Sequence, residues 1–203
     1  MNQALADLLA SRAGIWRCLH SDHAAWPVVN SGFPELDAVL PGGGWPLGTL
    51  AEVTIPALGC GELRLLSSAM ASLSQTGRHI VWIAPPYQPY APGLLQTGCA
   101  LAQLLSINVD GDNEIAWCAE KLLRSGRCGM VLLWPRRLDN RQIRRLQLAA
   151  ETGSSLAILF VLPVQSYPGA ALRIAVNPTA TGLTVNILKA RGSLRRSVLT
   201  IRL

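Results

Sequence analysis

Residues 49–66 read TLAEVTIPALGCGELRLL: an apolar, β-branched run, a turn carrying Gly59 and Gly61, and then residues at helical spacing. A strand that passes through a glycine turn into a helix is the unit from which parallel sheets covered by helices are built. It is also the layout of a phosphate-binding loop, G-x-x-x-x-G-K-[ST]. In such a loop backbone N–H groups wrap the phosphates, the lysine neutralises the outer ones and the hydroxyl holds magnesium. Here Gly61 is followed by Glu62 and Leu63. A carboxylate where an ammonium should meet phosphate is repulsive, by roughly several kcal/mol in a partly desolvated site. The segment reads either as a phosphate loop stripped of its chemistry or as an ordinary strand–turn–helix that never held nucleotide.

The remainder of the chain continues the alternation. Residues 50–54, 79–84, 104–109, 129–134 and 155–162 read as strands, and residues 62–75, 91–103, 113–125 and 140–152 as helices. Residues 172–176, 183–190 and 197–203 then follow one another with only short turns, which predicts an antiparallel addition at one edge. The expected fold is therefore α/β, a predominantly parallel sheet flanked by helices with antiparallel C-terminal edge strands. Ahead of it, residues 3–12 have the spacing of an amphipathic helix and residues 13–30 are irregular. Residues 31–37 form a capped turn into a short helix that stops at Pro41 and the glycines after it. This divides the chain into an N-terminal helix and irregular segment, 1–30, and a core domain, 31–203.

Half of the 203 residues are apolar, enough for one domain with a substantial core. The longest apolar runs, residues 130–134 and 156–162, fall far short of the roughly 20 residues that a membrane span needs. Residues 1–12 have neither a basic start nor a continuous apolar stretch, so a soluble, cytoplasmic protein is expected. The five cysteines include no C-x-x-C, which fits a reducing compartment. Cys18, His20 and His23 fall short of the ligand set of a structural zinc, and no metal is expected.

Charge is unevenly distributed. Residues 1–120 carry four basic side chains against ten acidic ones, whereas residues 121–203 carry fourteen basic ones against only Asp139 and Glu151. Sixteen of the eighteen basic residues are arginine, the type suited to bidentate contacts, so an acidic partner, nucleic acid or protein, is expected for the second half. On the helix 140–152, Asp139 and Gln142 fit a capping box and Ile143, Leu146 and Ala150 form the buried stripe. Arg137, Arg141, Arg144 and Arg145 line the other side, with few acids to pair with them; Arg191, Arg195 and Arg196 are further candidates for partner or DNA contact. Trp45, Trp82 and Trp134 each stand beside Gly or Pro at a strand start or end, either plugging a rim or offering contact, with Trp45 the candidate for partner binding. Tyr87 and Tyr90, among the prolines of residues 85–92, read as an exposed aromatic contact surface or a rigid loop.

Residues 32–53, GFPELDAVLPGGGWPLGTLAEV, resemble the opening of the RecA-type ATPase core, and residues 120–138 and 172–203 resemble its fourth strand and closing strands. Within that superfamily the chain resembles the ImuA family of translesion-synthesis accessory proteins, similar in turn to the cell-division inhibitor SulA. The strings that carry this are LPGGGWPLG, GCGELRLL, WIAPPYQPYAP, LRSG and RRLQLAA, in that order. The resemblance implies a RecA-like core in which the phosphate lysine falls at Glu62 and the magnesium hydroxyl at Leu63. The metal carboxylate falls at Trp134, and a second carboxylate near Pro85 and Pro86. Gly59, Gly61, Glu62, Leu63 and Trp134 would then mark a degenerate nucleotide site with no cofactor and no hydrolysis. The connections that hold DNA in filament-forming relatives are short here, residues 135–139 and 163–169. The implied partners are an ImuB-like Y-family polymerase relative, an error-prone polymerase III alpha homologue, RecA itself, and DNA through the basic half. Two other readings compete: a SulA-like division inhibitor that binds FtsZ, and a residual nucleotidase. The first lacks the Trp16–Arg17 pair and the glycine-rich opening; the second has no His/Asp/Glu cluster to support it.

Overall fold

In a computed structural model, residues 27–191 and 197–203 are described. The expected helix 3–12, the Cys18/His20/His23 trio, the Trp16–Arg17 pair, and Arg195 and Arg196 lie outside the described residues. The elements, in chain order, begin with β1 (Val28–Val29), α1 (Pro34–Asp37), β2 (Trp45–Pro46) and β3 (Thr49–Thr54). A 3-10 turn (Glu62–Leu66) then runs into α2 (Ser67–Gln75), followed by β4 (His79–Ile83) and α3 (Ala91–Gln96). A second 3-10 turn (Leu101–Gln103) precedes β5 (Leu104–Ile107), α4 (Asp112–Arg124), β6 (Cys128–Leu133), α5 (Asn140–Gly153) and β7 (Leu156–Val161). The chain closes with β8 (Leu172–Thr179), β9 (Gly182–Ala190) and β10 (Ser197–Arg202).

Eight strands form one sheet in the order β10-β9-β8-β3-β7-β6-β4-β5. From β8 to β5 neighbours run parallel; β9 and β10 are added antiparallel beyond β8. Every residue of β6 and β7 is buried, as strands covered on both faces must be. Successive side chains alternate between two cores. Met130 and Leu132 face the layer holding Leu65, Met70 and Leu73, whereas Val131 and Leu133 face Ile115, Leu123, Ile143 and Leu146 of α4 and α5. Full burial of each such aliphatic side chain contributes about 1.5–3 kcal/mol.

The cap of α5 forms as its residues predict: the Gln142 N–H donates to Asp139 Oδ1 at 2.7 Å, and the Asp139 N–H to Gln142 Oε1 at 2.8 Å. Two expectations need correction. The helix expected over residues 91–103 stops at Gln96, because Gly98 turns left-handed (φ 84°) and the Cys99 N–H reaches back to the Leu94 carbonyl at 3.1 Å. The end is held from outside, by the Ala100 N–H donating to Ser74 Oγ of α2 at 3.0 Å. Residues 13–30, expected to be irregular, end in β1, whose Val28 and Val29 pair with Pro46 and Trp45 in a two-stranded ribbon. Strands of two residues are too short for alternation to mark them.

Candidate functional site

The carboxyl ends of β3, β4, β6 and β7 open onto a cleft of about 930 Å³, bordered by Ile55, Ala84, Asp112, Trp134 and Phe160 among others. Parallel α/β sheets characteristically bind ligands at this rim. Ala84, at the end of β4, is left-handed (φ 51°), an uncommon conformation for a residue with a side chain, found here at the edge of the cleft.

The turn after β3 carries two left-handed glycines, Gly59 at φ 78° and Gly61 at φ 99°. What fills it is the chain itself. Glu62 is only 4% exposed, and its Oε1 accepts the Gly59 N–H at 3.0 Å. A backbone donor of the kind that would meet a phosphate oxygen is thus occupied by an internal carboxylate. Burial, and next the Glu62 charge, push the Cys60 thiol of the same turn up, so it stays protonated and unreactive near neutral pH.

Opposite the loop, the strand ends are closed by aromatic rings. Trp82 of β4 lies 5.6 Å from Trp134, just beyond β6, at a 48° tilt, and Trp134 stacks on Phe160 of β7 at 5.0 Å and 22°. Each pair adds about 0.5–1.5 kcal/mol beyond its burial. At Trp134, where the resemblance implied a missing metal carboxylate, stands a ring packed on two neighbours. Trp45 requires correction as a partner-binding candidate: it is wholly buried on β2, opposite Val29, and belongs to the core. Phe160 was invisible in the sequence as a member of this stack, since in LAILFV it reads only as strand.

Gly59, Glu62, Leu63, Tyr87, Tyr90 and Trp134 border one smaller apolar pocket of about 300 Å³ beside the cleft. Tyr87 and Tyr90 are 67% and 73% exposed.

The arginine face divides into two kinds of residue. Arg145 places Nη2 2.5 Å from Glu120 Oε2, and Glu120 also holds Arg124 at 3.3 Å, so Arg145 straps α5 to α4. Arg191 pairs with Glu151 at 2.9 Å. Arg137, Arg141 and Arg144 are exposed and have no carboxylate within ion-pairing distance among the described residues. Asp112, at the start of α4, accepts the backbone N–H groups of Arg136 at 2.8 Å and Arg137 at 3.0 Å, fixing the connection from which this face begins.

The connections after β6 and β7 are joined through a group that motif reading missed. Glu52, wholly buried on β3, accepts the Tyr167 N–H at 2.6 Å and Arg173 Nε at 3.0 Å. The Tyr167 hydroxyl accepts the Leu138 N–H at 2.9 Å, and the Gln165 side-chain amide donates to the Arg136 carbonyl. Burial pushes the Tyr167 phenol up, so it remains neutral. The signal was an acidic residue inside an apolar strand, which requires a partner when buried. Among the described residues no group of three His, Cys, Asp or Glu side chains could hold a metal ion, and no helix is long and apolar enough to cross a membrane.

With its loop occupied by Glu62 and no lysine beside it, the protein is expected to show no saturable Mg-ATP binding up to about 1 mM, equivalent to less than roughly 4 kcal/mol. Calorimetric titration measures this directly, and a tighter dissociation constant overturns the expectation.

Residues 54–157 match the family described as cell division inhibitor SulA. Protein ImuA of Caulobacter vibrioides is 31% identical over 150 residues, 71% of this chain and 61% of the relative. Cell division inhibitor SulA of Photorhabdus laumondii is 25% identical over 96 residues, 47% of this chain and 54% of the relative. The crystal structure of SulA from Pseudomonas aeruginosa aligns with a TM-score of 0.46 at 23% identity, covering 55% of this chain and 97% of that one. The chain spans 61% of the length of the ImuA relative it matches.

Proposed function

Since this chain belongs to the ImuA family, which is related to SulA, we propose that it is a non-catalytic accessory protein of SOS-associated translesion DNA synthesis, built on a RecA-like core. One observation carries the reading: the Glu62 carboxylate sits on the Gly59 N–H inside the phosphate-type loop, while Trp82, Trp134 and Phe160 close the neighbouring strand ends. A rim with the shape of a nucleotide site, but without lysine, hydroxyl or metal carboxylate, favours recognition over hydrolysis.

In this reading the protein works in the cytoplasm. It brings an ImuB-like Y-family polymerase relative and an error-prone polymerase III alpha homologue together at damaged DNA, with RecA as a further partner. DNA or an acidic protein surface meets the unpaired-face arginines Arg137, Arg141 and Arg144, with Arg195 and Arg196 adding charge. Cationic side chains of this kind act at long range and weaken with salt. The family match over residues 54–157 favours one other reading, a SulA-like division inhibitor that binds FtsZ.

A deletion strain separates the two. The accessory role predicts lower damage-induced mutation frequency in the deletion and normal division on overproduction. The triple change Arg137→Glu, Arg141→Glu and Arg144→Glu should reproduce the deletion phenotype at normal protein level, because all three side chains are exposed and their reversal leaves the core untouched. Filamentous cells on overproduction, with mutagenesis intact in the deletion, select the inhibitor.

A further inference from the structure

The small pocket beside the vacated loop contains groups that its own packing leaves without partners. Its wall is largely aromatic, with Trp82, Trp134, Tyr87 and Tyr90, and Glu62 and Leu63 complete the side nearest the loop. Three polar atoms of these lining residues are buried and make no hydrogen bond among the described residues: Glu62 Oε2 and the indole Nε1 atoms of Trp82 and Trp134. Glu62 and Trp82 are each only 4% exposed. Buried polar groups in folded proteins are nearly always hydrogen-bonded, and an unpaired one is most costly when it carries charge, so such a cluster at a pocket is explained best by a ligand that completes it.

The missing ligand has a definite chemistry. A carboxylate oxygen without a donor calls for a charged donor, and aromatic faces attract the same kind of group. Indole N–H groups without acceptors call for carbonyl oxygens. A planar guanidinium meets the first two demands together, and the peptide carbonyls beside it meet the third. An anion is repelled by Glu62. The pocket's own charge agrees: among the described residues that line it, Glu62 alone is charged.

We propose that this pocket receives an arginine side chain of a partner protein, directed at Glu62 and packed against Tyr87 and Tyr90. The site thus recognises a basic peptide where a related ATPase frame would seat a nucleotide. The inference goes beyond the accessory role and does not depend on which machinery the protein serves.

The test uses the full chain and a defined probe. Acetyl-Gly-Arg-Gly-amide is titrated into isotope-labelled protein while the indole N–H resonances of Trp82 and Trp134 are followed. The same tripeptide with citrulline, the neutral isostere of arginine, is the control. The arginine peptide is expected to move both resonances saturably and to bind about tenfold more tightly than the citrulline peptide, the size of a desolvated cation–π and ion-pair contribution. Glu62→Gln should erase that difference. Tyr90→Ala, at an exposed position that cannot unfold the core, should weaken the arginine peptide about threefold or more, and it carries the test if Glu62→Gln does not fold. Equal affinity for the two peptides, unmoved indole resonances, or a Tyr90→Ala variant that binds as the parent does overturns the proposal. Because the assay is made on purified protein, its failure is distinguishable from failure of the accessory role, which is read from mutation frequency in cells.

Discussion

Arg173→Ala is expected to destabilise the protein by about 3–5 kcal/mol, the usual cost of removing one partner from a buried ion pair. Glu52 is wholly buried on β3, between β7 and β8, and Arg173 Nε at 3.0 Å is the cation that compensates it. Removing the guanidinium leaves the carboxylate with the Tyr167 N–H at 2.6 Å and a long contact from Thr54 Oγ1 at 3.5 Å. Against a typical total stability of about 5–15 kcal/mol this loss is large. Urea denaturation measures it, and a loss below about 1 kcal/mol would mean that solvent reaching the Arg173 side chain, 19% exposed, already screens the pair. The double variant Glu52→Gln with Arg173→Met should be more stable than Arg173→Ala alone, since removing both charges also removes the uncompensated one. Function follows through Tyr167. Its backbone is held by Glu52 and its hydroxyl holds Leu138, so loosening the pair also loosens the connections after β6 and β7 that border the candidate site.

The sheet was legible in the sequence where burial on both faces forces continuous apolar runs, as in β6 and β7, and where a local signal marks an end, as Asp139 and Gln142 do for α5. The end of α3 was not legible, because Ser74 of another helix helps to fix it. The absence of lysine and hydroxyl after Gly61 could be read because a phosphate motif specifies which residue types must be present, and Glu62 and Leu63 do not match it. The side-chain clusters around the loop could not be read in the same way. The stack on Trp134 needs Phe160 from a neighbouring strand, and the Glu52 cluster joins three segments far apart in sequence. Counting charges by halves of the chain also concealed the pairings between them, Glu52 with Arg173 and Glu120 with both Arg124 and Arg145. Glu120 belongs to the acidic half and Arg145 to the basic half, yet α4 and α5 lie side by side and the two side chains meet.

Gly153→Ala is expected to cost about 3 kcal/mol and to lower the melting temperature by about 10 °C for a chain of this size. Helix propensity alone gives the opposite sign, since alanine inside a helix is favoured over glycine by about 1 kcal/mol. Sterics decide otherwise. A Cβ at Gly153 would lie 1.8 Å from the Leu123 carbonyl oxygen and 3.0 Å from its carbon, and a backbone group cannot rotate away as a side chain can. The ends of α4 and α5 must therefore separate. The Gly153 carbonyl also accepts Arg78 Nη2 at 3.0 Å, and the same nitrogen reaches the carbonyls of Cys128 at 2.7 Å and Ser154 at 3.0 Å, so the displacement also disturbs a guanidinium that ties β6 to α5. Gly77→Ala is the matching control. Gly77 is left-handed (φ 77°) with open space around its Cβ position, so alanine there should cost only the conformational strain of about 1–2 kcal/mol. A Gly153→Ala variant as stable as the parent would mean that α4 and α5 do not meet at this point. The arginine face would then rest on a helix whose position is set by the Glu120–Arg145 strap and the Ile143–Leu146 stripe alone.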